Sequence, residues 1–238
     1  MEDKIQMFKK LLNESNNIVF FGGAGVSTES GIPDFRSKDG LYNQKYDYPP
    51  EEILSHTFFI NKTDKFYEFY KSKMNSLKYE SNITHIKLAE LEEKGKLKAV
   101  ITQNIDGLHQ KAGSKTVYEL HGSILRNYCV NCKKFYDAEY VFQSKGVPKC
   151  SCGGIIKPDV VLYEEGLNDN ILKNSVISIQ NADMMIVAGT SLTVYPASSL
   201  INYFKGKNLV LINKSSTQYD YKANLIINDS LEKVFSNI

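Results

Sequence analysis

The chain has 238 residues, of which 42% are hydrophobic, 24% charged and 11% aromatic, a composition typical of a folded globular protein with a sizeable core. This composition excludes collagen, coiled-coil and disordered chains. The 29 Lys and Arg nearly balance the 27 Asp and Glu, so we expect neither a nucleic-acid nor a membrane partner.

The N-terminal segment MEDKIQMFKK lacks the apolar region of a secretion signal, and no apolar run reaches the ~18 residues of a membrane span. We therefore expect a cytoplasmic protein. Apolar residues at helical spacing then predict a first helix over 3–15. A buried strand at 18–21 runs into the glycine turn 22–25, and a helix is expected to begin at 26–28.

The segment 42–79 is rich in aromatic residues and contains Pro49-Pro50, which predicts a helical insertion. The remaining pattern predicts helices at 84–94, 170–180, 197–204 and the C-terminus, and strands at 99–102, 117–118, 160–162, 184–188, 209–212 and 225–227. This alternation predicts an α/β fold with a doubly wound, Rossmann-like parallel sheet. Ligands of such sheets bind at the carboxyl ends of the strands, here 22–28, 103–106, 189–191 and 213–214.

The glycine turn after the first strand is the first candidate ligand site. Gly23 and Gly25 begin a G-x-G-x-x-G pattern, but Thr28 replaces the third glycine, and no acidic residue ends the second strand. A dehydrogenase is therefore disfavoured. Nucleotide binding and a bare turn both remain open.

The loop after this turn contains Phe35 and Arg36, and Arg36 is one of only two arginines, with Arg126. A guanidinium can bind phosphate bidentately, and Phe35 could cover a flat ring. The alternative is a surface loop with a local salt bridge to Asp34.

Three polar side chains, Gln103, Asn104 and Asp106, surround Ile105 at the end of another predicted strand. Asp106 could merely cap the next helix. Amides and a carboxylate beside an apolar contact also suit a carboxamide such as nicotinamide. His121 follows a strand before the cysteine region, and it is the best candidate for a general base, although a lone histidine is commonly structural.

All four cysteines fall in one window, as Cys129-x-x-Cys132, a spacer over 133–149, and Cys150-x-Cys152. Four thiolates suit one tetrahedral Zn²⁺, and full coordination by the protein predicts a structural rather than a catalytic metal. A nucleic-acid zinc ribbon is the alternative, but the spacer carries acidic and aromatic residues among few lysines.

Together, five motifs resemble the bacterial-type catalytic core of the sirtuin family, the NAD-dependent protein lysine deacylases. They are Gly23-Ala24-Gly25-Val26-Ser27-Thr28-Glu29-Ser30-Gly31-Ile32-Pro33-Asp34-Phe35-Arg36, Thr102-Gln103-Asn104-Ile105-Asp106-Gly107-Leu108-His109, His121-Gly122, the four cysteines, and Gly189-Thr190-Ser191-Leu192-Thr193-Val194-Tyr195-Pro196-Ala197. The resemblance runs from about Asn17 to the C-terminus.

This resemblance implies an NAD domain over 1–38, 80–125 and 157–238. The helical insertion 39–79 and the zinc module 126–156 would form a smaller domain, with acyl-lysine peptide bound between the two. The products would be free lysine, nicotinamide and O-acyl-ADP-ribose.

The resemblance also implies roles for single residues. His121 and Asn104 would be catalytic, with His121 deprotonating a ribose hydroxyl. The NAD contacts would be Ala24, Thr28, Phe35, Arg36, Gln103, Ile105, Asp106, Thr190, Ser191, Asn213 and Asp229.

Peptide would pair as an added strand near Val160-Val161-Leu162-Tyr163-Glu164-Glu165 and Thr193-Val194-Tyr195. The family commonly has Phe-Gly-Glu where this chain has Tyr163-Glu164-Glu165. Members that favour succinyl or malonyl groups carry Tyr-x-x-Arg where this chain has Tyr67-Glu68-Phe69-Tyr70, so we expect acetyl or longer apolar acyl groups. A mono-ADP-ribosyltransferase using the same NAD site and a non-catalytic NAD-sensing protein remain alternatives.

Overall fold

A parallel sheet of six strands forms the larger part of the fold. The computed structural model describes residues 2–37 and 40–238. The strands follow the order β3-β2-β1-β7-β8-β9, and every neighbouring pair is parallel. Their bounds are β1 Ile18–Gly22, β2 Leu97–Thr102, β3 Val117–Glu119, β7 Met184–Ala188, β8 Asn208–Ile212 and β9 Leu225–Ile227. The predicted doubly wound α/β fold is confirmed.

Alternate residues of the central strands face opposite sides of this sheet and are buried on both. Phe20 of β1 packs into one cluster with residues of α1, α5 and α9, and Phe21 packs into a second cluster with residues of α8 and the 3₁₀ helix Ala197–Tyr203. The helices that cover the sheet are α1 Glu2–Glu14, α5 Ile83–Glu93, α6 Leu108–Lys111, α8 Asp169–Asn181 and α9 Leu231–Phe235. Burial on both faces explains why these strands are continuous apolar runs.

A second unit combines the helical insertion with a small antiparallel sheet in the order β5-β4-β6. Its elements are α2 Pro50–Ile53, α3 His56–Asn61, α4 Thr63–Lys73, β4 Gly122–Cys129, β5 Phe135–Tyr136, α7 Ala138–Gln143 and β6 Ile156–Val160. Phe66, Tyr67 and Tyr70 of α4 share one core with Val141 of α7 and Ile156 of β6. The two chain segments therefore fold against each other.

Arg126 connects this small sheet to the end of the large one. Its guanidinium donates at 2.7 Å both to Glu119, the last residue of β3, and to Asp159 of β6. Glu119 is buried, so the planar fork of arginine satisfies a carboxylate that would otherwise lack a cation.

Three sequence-based element predictions are wrong in detail. No α-helix begins at 26–28, where the chain forms the 3₁₀ helices Ala24–Val26 and Thr28–Ser30, and the segment 197–204 is also 3₁₀ rather than α. The strand predicted at 160–162 ends at Val160 and belongs to the small antiparallel sheet. Over the described residues, no helix has both the length and the hydropathy needed to cross a membrane.

Candidate functional site

The glycine loops after β1 and β7 touch each other at the centre of the sheet edge. These neighbouring strands connect onward to opposite sides of the sheet, so a crevice opens at their carboxyl ends. Gly25 N donates to Gly189 O at 2.8 Å, and a Cβ added to Gly25 would lie 2.8 Å from Gly189 Cα. Gly189 has a φ of 61°, and its own Cβ would lie 2.5 Å from Val26 N. This close approach of two main chains requires glycine.

The glycine turn after β1 is stabilised by the side chain of Thr28, at its end. Thr28 Oγ1 donates to Gly25 O at 3.0 Å, and both Ala24 and Thr28 are half-buried. The third glycine of the dinucleotide pattern is therefore replaced by a residue that stabilises a tight 3₁₀ turn.

The side-chain amide of Asn213, which follows β8, binds both the main-chain N–H and the carbonyl of Thr190. Thr190 N donates to Asn213 Oδ1 at 3.1 Å, and Asn213 Nδ2 donates to Thr190 O at 3.0 Å. Gln103 extends the network, because its Nε2 donates to Thr190 Oγ1 at 3.0 Å. Ser191 is exposed beside it and hydrogen-bonds Thr193. The ends of β2, β7 and β8 are thus joined by amide and hydroxyl groups.

Ser27 connects two of the candidate polar groups after β2. Its Oγ donates to Asp106 Oδ2 at 2.6 Å and accepts from Asn104 Nδ2 at 3.0 Å. Both Ser27 and Asn104 are buried. Ser27 is not among the predicted site residues, because nothing in the local sequence distinguishes it from the neighbouring loop hydroxyls.

Asp106 has one oxygen on Ser27 and the other on the first turn of α6, where Leu108 N donates to Oδ1 at 2.9 Å. The N-cap of α6 is Gly107, so Asp106 is not the capping residue, and its contact with Leu108 N uses only half of the carboxylate. Burial raises the pKa of Asp106, while the hydrogen bonds from Ser27 and Leu108 N oppose this rise. The half-buried Ile105 beside it packs against the core of the small unit.

His121 is held at the end of β3 by a contact that selects one tautomer. Its Nδ1 lies 3.0 Å from Gln103 O, and because a carbonyl only accepts, Nδ1 carries the proton. Nε2 of the neutral ring therefore keeps its lone pair. Burial lowers the pKa of His121, although the contact with Gln103 O opposes this, so the ring is neutral at neutral pH.

Gly122 fixes where this histidine sits. It has a φ of 75°, and a Cβ there would lie 1.8 Å from Asp159 O on the neighbouring strand β6. The next segment is held as well, since Val161 N donates to His121 O at 3.0 Å.

The loop with Phe35 and Arg36 is organised by Asp34, although not by a salt bridge. Asp34 Oδ1 accepts from the main-chain N–H groups of Arg36 and Ser37 at 3.1 and 2.8 Å. The guanidinium of Arg36 lies over the ring of Tyr42, with Cζ 5.2 Å from the ring centroid. Counting only residues 2–37 and 40–238, Arg36 forms no ion pair, so the salt-bridge alternative lacks its contact.

Asp229 follows β9 at the same edge of the sheet, but its carboxylate is already paired. Lys233 Nζ lies 2.8 Å from Oδ2, and Ser230 N donates to Oδ1 at 2.9 Å. The pKa of Asp229 is lowered, first by its contact with Lys233.

The other three histidines lie away from this network. His56 Nδ1 contacts Glu165 Oε1 at 2.8 Å, and His85 and His109 are buried against each other with ring centroids 4.7 Å apart.

The four cysteines bring their sulfur atoms together at one end of the small sheet. All four Sγ atoms lie within 4.8 Å of one another, and three of the pairs are 3.5 Å apart. Zn–S bonds of about 2.3 Å in a tetrahedron place sulfurs roughly 3.8 Å apart, so the cluster fits a zinc ion and is too wide for disulfides. The two knuckles form turns, with Lys133 N donating to Cys129 O and Gly153 N donating to Cys150 O.

The comparisons with known proteins agree with this arrangement. Residues 23–196 match the model of the Sir2 family. The chain is 61% identical to a protein of Clostridium perfringens and 62% identical to one of Clostridium acetobutylicum, each described as an NAD-dependent protein deacetylase. The alignments cover 100% and 99% of this chain, and 99% and 98% of those proteins. A solved structure described as Sir2 with a p53 peptide and NAD+ superposes with a TM-score of 0.87 at 41% identity, covering 98% of this chain and 95% of that one.

Proposed function

Because the chain belongs to the Sir2 family, as its motifs predicted, we propose that it is an NAD-dependent protein lysine deacylase that prefers acetyl-lysine. The observation that carries the proposal is the contact of His121 Nδ1 with Gln103 O, which leaves Nε2 as the unprotonated nitrogen at the sheet edge where Gln103, Asn104 and Asp106 meet. A general base held in one tautomer beside these groups suits turnover better than binding alone.

The residues at this edge fit NAD. When bound, NAD would supply a ribose carbon that can exchange its bond to nicotinamide for a bond to the acyl oxygen. Ile105 and Asp106 would hold the carboxamide, because they offer an apolar contact beside a carboxylate. Gln103 and Asn104 would flank the adjoining ribose, and Asn104 would take part in catalysis there. Ala24, Thr28, Phe35 and Arg36 would line the first half of the site, with the Arg36 guanidinium available to phosphate.

Thr190, Ser191 and Asn213 would meet the phosphate and adenosine end. Asp229 would extend this end, although its pairing with Lys233 would have to loosen. His121 would remove a proton from a ribose hydroxyl through Nε2, while Gln103 O keeps Nδ1 protonated and the ring oriented.

The cysteines Cys129, Cys132, Cys150 and Cys152 would hold one structural Zn²⁺. Four thiolates leave no position for water, so the metal would stabilise the small sheet without entering the reaction. Cysteines that are kept reduced to bind a metal also suit a cytoplasmic location, which is part of this proposal.

The acyl-lysine peptide would bind along 160–165 and 193–195. The preference for acetyl over succinyl rests on Tyr67 and Tyr70, which are fully buried among aromatic rings. The insertion has no arginine, since Arg36 and Arg126 are the only two in the chain. A buried acyl carboxylate would lack a cation there, and that is costly.

The test is mass spectrometry of matched acetyl, longer-chain acyl and succinyl peptides incubated with purified protein, with and without NAD. We expect NAD-dependent loss of the acetyl group with O-acetyl-ADP-ribose as co-product, and slow turnover of succinyl peptide. Loss without NAD would refute the mechanism. Transfer of radiolabel from NAD to protein without deacylation would instead support ADP-ribosyl transfer, and NAD binding without either reaction would support a sensor.

A further inference from the structure

The peptide segment 160–165 carries an acidic side chain, Glu164, where the family commonly has glycine. Glu164 has a φ of 74°, a conformation that glycine adopts freely and other residues adopt rarely. The chain therefore keeps a side chain at a position where the backbone disfavours one. Strained residues of this kind concentrate at ligand-binding segments.

The carboxylate of Glu164 is held by a neighbouring helix and is not neutralised by a cation. Its Oε2 accepts from Thr57 N, in the first turn of α3, at 2.8 Å. Contacts with Thr57 lower the pKa of Glu164, so the side chain is ionised at neutral pH. Glu164 is exposed, and over residues 2–37 and 40–238 it forms no ion pair. Its negative charge is therefore accessible to a ligand.

The next residue, Glu165, is by contrast paired with two side chains. Its Oε1 contacts His56 Nδ1 at 2.8 Å, and its Oε2 accepts from Lys157 Nζ at 3.0 Å. Leu162 N donates to the same Oε2 at 2.9 Å. Glu165 thus engages both His56 and Lys157, and the negative charge of Glu164 is left without a direct partner.

Two exposed acids of α2 add to the negative charge near the peptide segment. Glu51 and Glu52 precede Leu54 in the chain. The carbonyl of Leu54 accepts from Tyr163 N at 3.0 Å, so the end of α2 lies directly beside the peptide segment. Within the described part of the chain, neither acid forms an ion pair. A basic peptide would therefore complement the charge around Glu164.

We propose that Glu164 determines substrate specificity by favouring acyl-lysine proteins that carry a basic side chain close to the acyl-lysine. This inference rests on the proposed function, which places the peptide along 160–165. An extended peptide that pairs with this segment brings its own side chains past Glu164. A Lys or Arg among them meets an ionised carboxylate that has no cation of its own. The preferred substrates would thus be proteins acylated within basic stretches of sequence.

The preference should be modest and sensitive to salt. Glu164 is exposed, and an exposed ion pair contributes little because water and ions screen it. We expect a basic residue to raise kcat/KM by about 2- to 5-fold over a neutral one, and the effect to shrink as salt is added. The change should appear in KM rather than in kcat, because the contact is present both in the bound substrate and during the reaction.

The experiment measures kcat/KM at saturating NAD for a panel of acetyl-lysine peptides whose sequence is otherwise neutral. In each peptide, one of the three positions on either side of the acetyl-lysine is Arg, Gln or Glu. The readout is the ratio of kcat/KM for the Arg peptide to that for the matching Gln peptide. This ratio cancels any change that affects all peptides alike.

The proteins are wild type, Glu164→Gln, Glu164→Lys and a control, Glu232→Gln. The amide oxygen of glutamine can still accept from Thr57 N, so Glu164→Gln removes the charge and retains an acceptor. Glu232 is an exposed acid of α9 that also forms no ion pair among the described residues. Because α9 packs against α1 and α5, Glu232→Gln removes the same charge at a distance from the peptide segment.

We expect wild type and Glu232→Gln to prefer Arg over Gln, and Gln over Glu, at one position or at two neighbouring positions of the peptide. The Arg-to-Gln ratio should fall to about one in Glu164→Gln and should fall below one in Glu164→Lys, which repels a basic peptide. A merely structural role of Glu164 would change kcat/KM for all peptides by the same factor and leave the ratio as in wild type.

The inference is overturned if wild type prefers Arg at no position, or if its preference persists in Glu164→Gln. Either result, in wild-type protein that deacetylates these peptides with NAD, would leave the proposed function intact. Absence of NAD-dependent deacetylation of every peptide in the panel would overturn the proposed function, and this inference with it.

Discussion

Ser27 Oγ lies 2.6 Å from Asp106 Oδ2. Ser27 follows β1, and it connects a carboxylate and an amide that follow the neighbouring strand β2. Ser27 and Asp106 are 79 positions apart in the sequence. Because Ser27 also accepts from Asn104, one hydroxyl orients both groups, and its own position is set by the 3₁₀ turn that begins at Ala24.

Replacing Ser27 by alanine should therefore weaken both NAD use and stability. The variant loses a donor to the half-buried Asp106 carboxylate, worth roughly 1–3 kcal/mol, so we expect kcat/KM for NAD to fall about 10-fold or more. The pKa of Asp106 should rise further, since the hydrogen bond from Ser27 lowers it. Steady-state kinetics at saturating peptide provide the measurement, with the exposed Ser236→Ala as the control. An unchanged kcat/KM would remove Ser27 from the site.

The acid limb of the pH profile of kcat/KM should reflect the protonation of His121. Burial lowers its pKa below the ordinary 6.5, and the base must be neutral, so activity is complete above that value and is lost only as the pH falls through the lower pKa. We expect the acid limb of kcat/KM to have its midpoint below pH 6.5.

The variant that tests His121 as the general base is His121→Ala. It should lower turnover by about 10²-fold or more, while carba-NAD, an analogue whose bond to nicotinamide does not break, still binds. Activity retained in this variant, or an acid midpoint above pH 6.5, would contradict the assignment of His121 as the base.

The large sheet could be predicted from the sequence because its strands are short apolar runs that end at glycine or polar residues. β7 was predicted over its full length for this reason. The small sheet lacks such a signal. β4 mixes buried and exposed residues, and Pro158 interrupts the strand pattern of β6. A seven-residue segment also cannot separate a 3.0-residue from a 3.6-residue period, so Ala197–Tyr203 was predicted as an ordinary helix.

The candidate site could be predicted where its residues follow strands, because parallel strands bring their carboxyl ends to one edge. Gln103, Thr190 and Asn213 meet in this way. Contacts between distant side chains have no local sequence pattern. For that reason neither the role of Ser27 nor the bridge of Arg126 to Glu119 and Asp159 could be predicted from the sequence.

Removal of zinc should destabilise the small unit and reduce activity indirectly. Cys129 ends β4 and Cys150 lies in the turn before β6, so the metal would join the two sides of this sheet. We expect a chelator, or Cys132→Ser, to lower Tm by roughly 10 °C, the shift that a few kcal/mol produces at this chain length.

Activity should fall in parallel and return when zinc is restored to the wild-type protein. Metal analysis should find one zinc per chain before chelation. Full activity in demonstrably zinc-free protein would contradict the structural role.

The buried pair His85 and His109 should make the protein sensitive to acid. Burial lowers the pKa of His85 to about 4, and it lowers the pKa of His109 well below the ordinary value. A charge on His85 would lower the pKa of His109 further. The unfolded chain has histidines near 6.5, so between these values it binds more protons than the folded chain. Stability is therefore complete above pH 6.5 and falls as the pH drops below it.

The substitution His109→Phe tests this, because within the described residues both ring nitrogens of His109 lack hydrogen-bond partners and its ring already lies 6.0 Å from that of Phe20. We expect the variant to be at least as stable as wild type at pH 7.5 and to lose less free energy of unfolding between pH 6.5 and 4.5. Urea unfolding at several pH values measures both quantities. Gln110→His, which adds an exposed histidine to the same helix α6, should follow the wild-type curve, because an exposed imidazole has a similar pKa folded and unfolded. An identical pH dependence in His109→Phe and wild type would place the origin of acid sensitivity elsewhere.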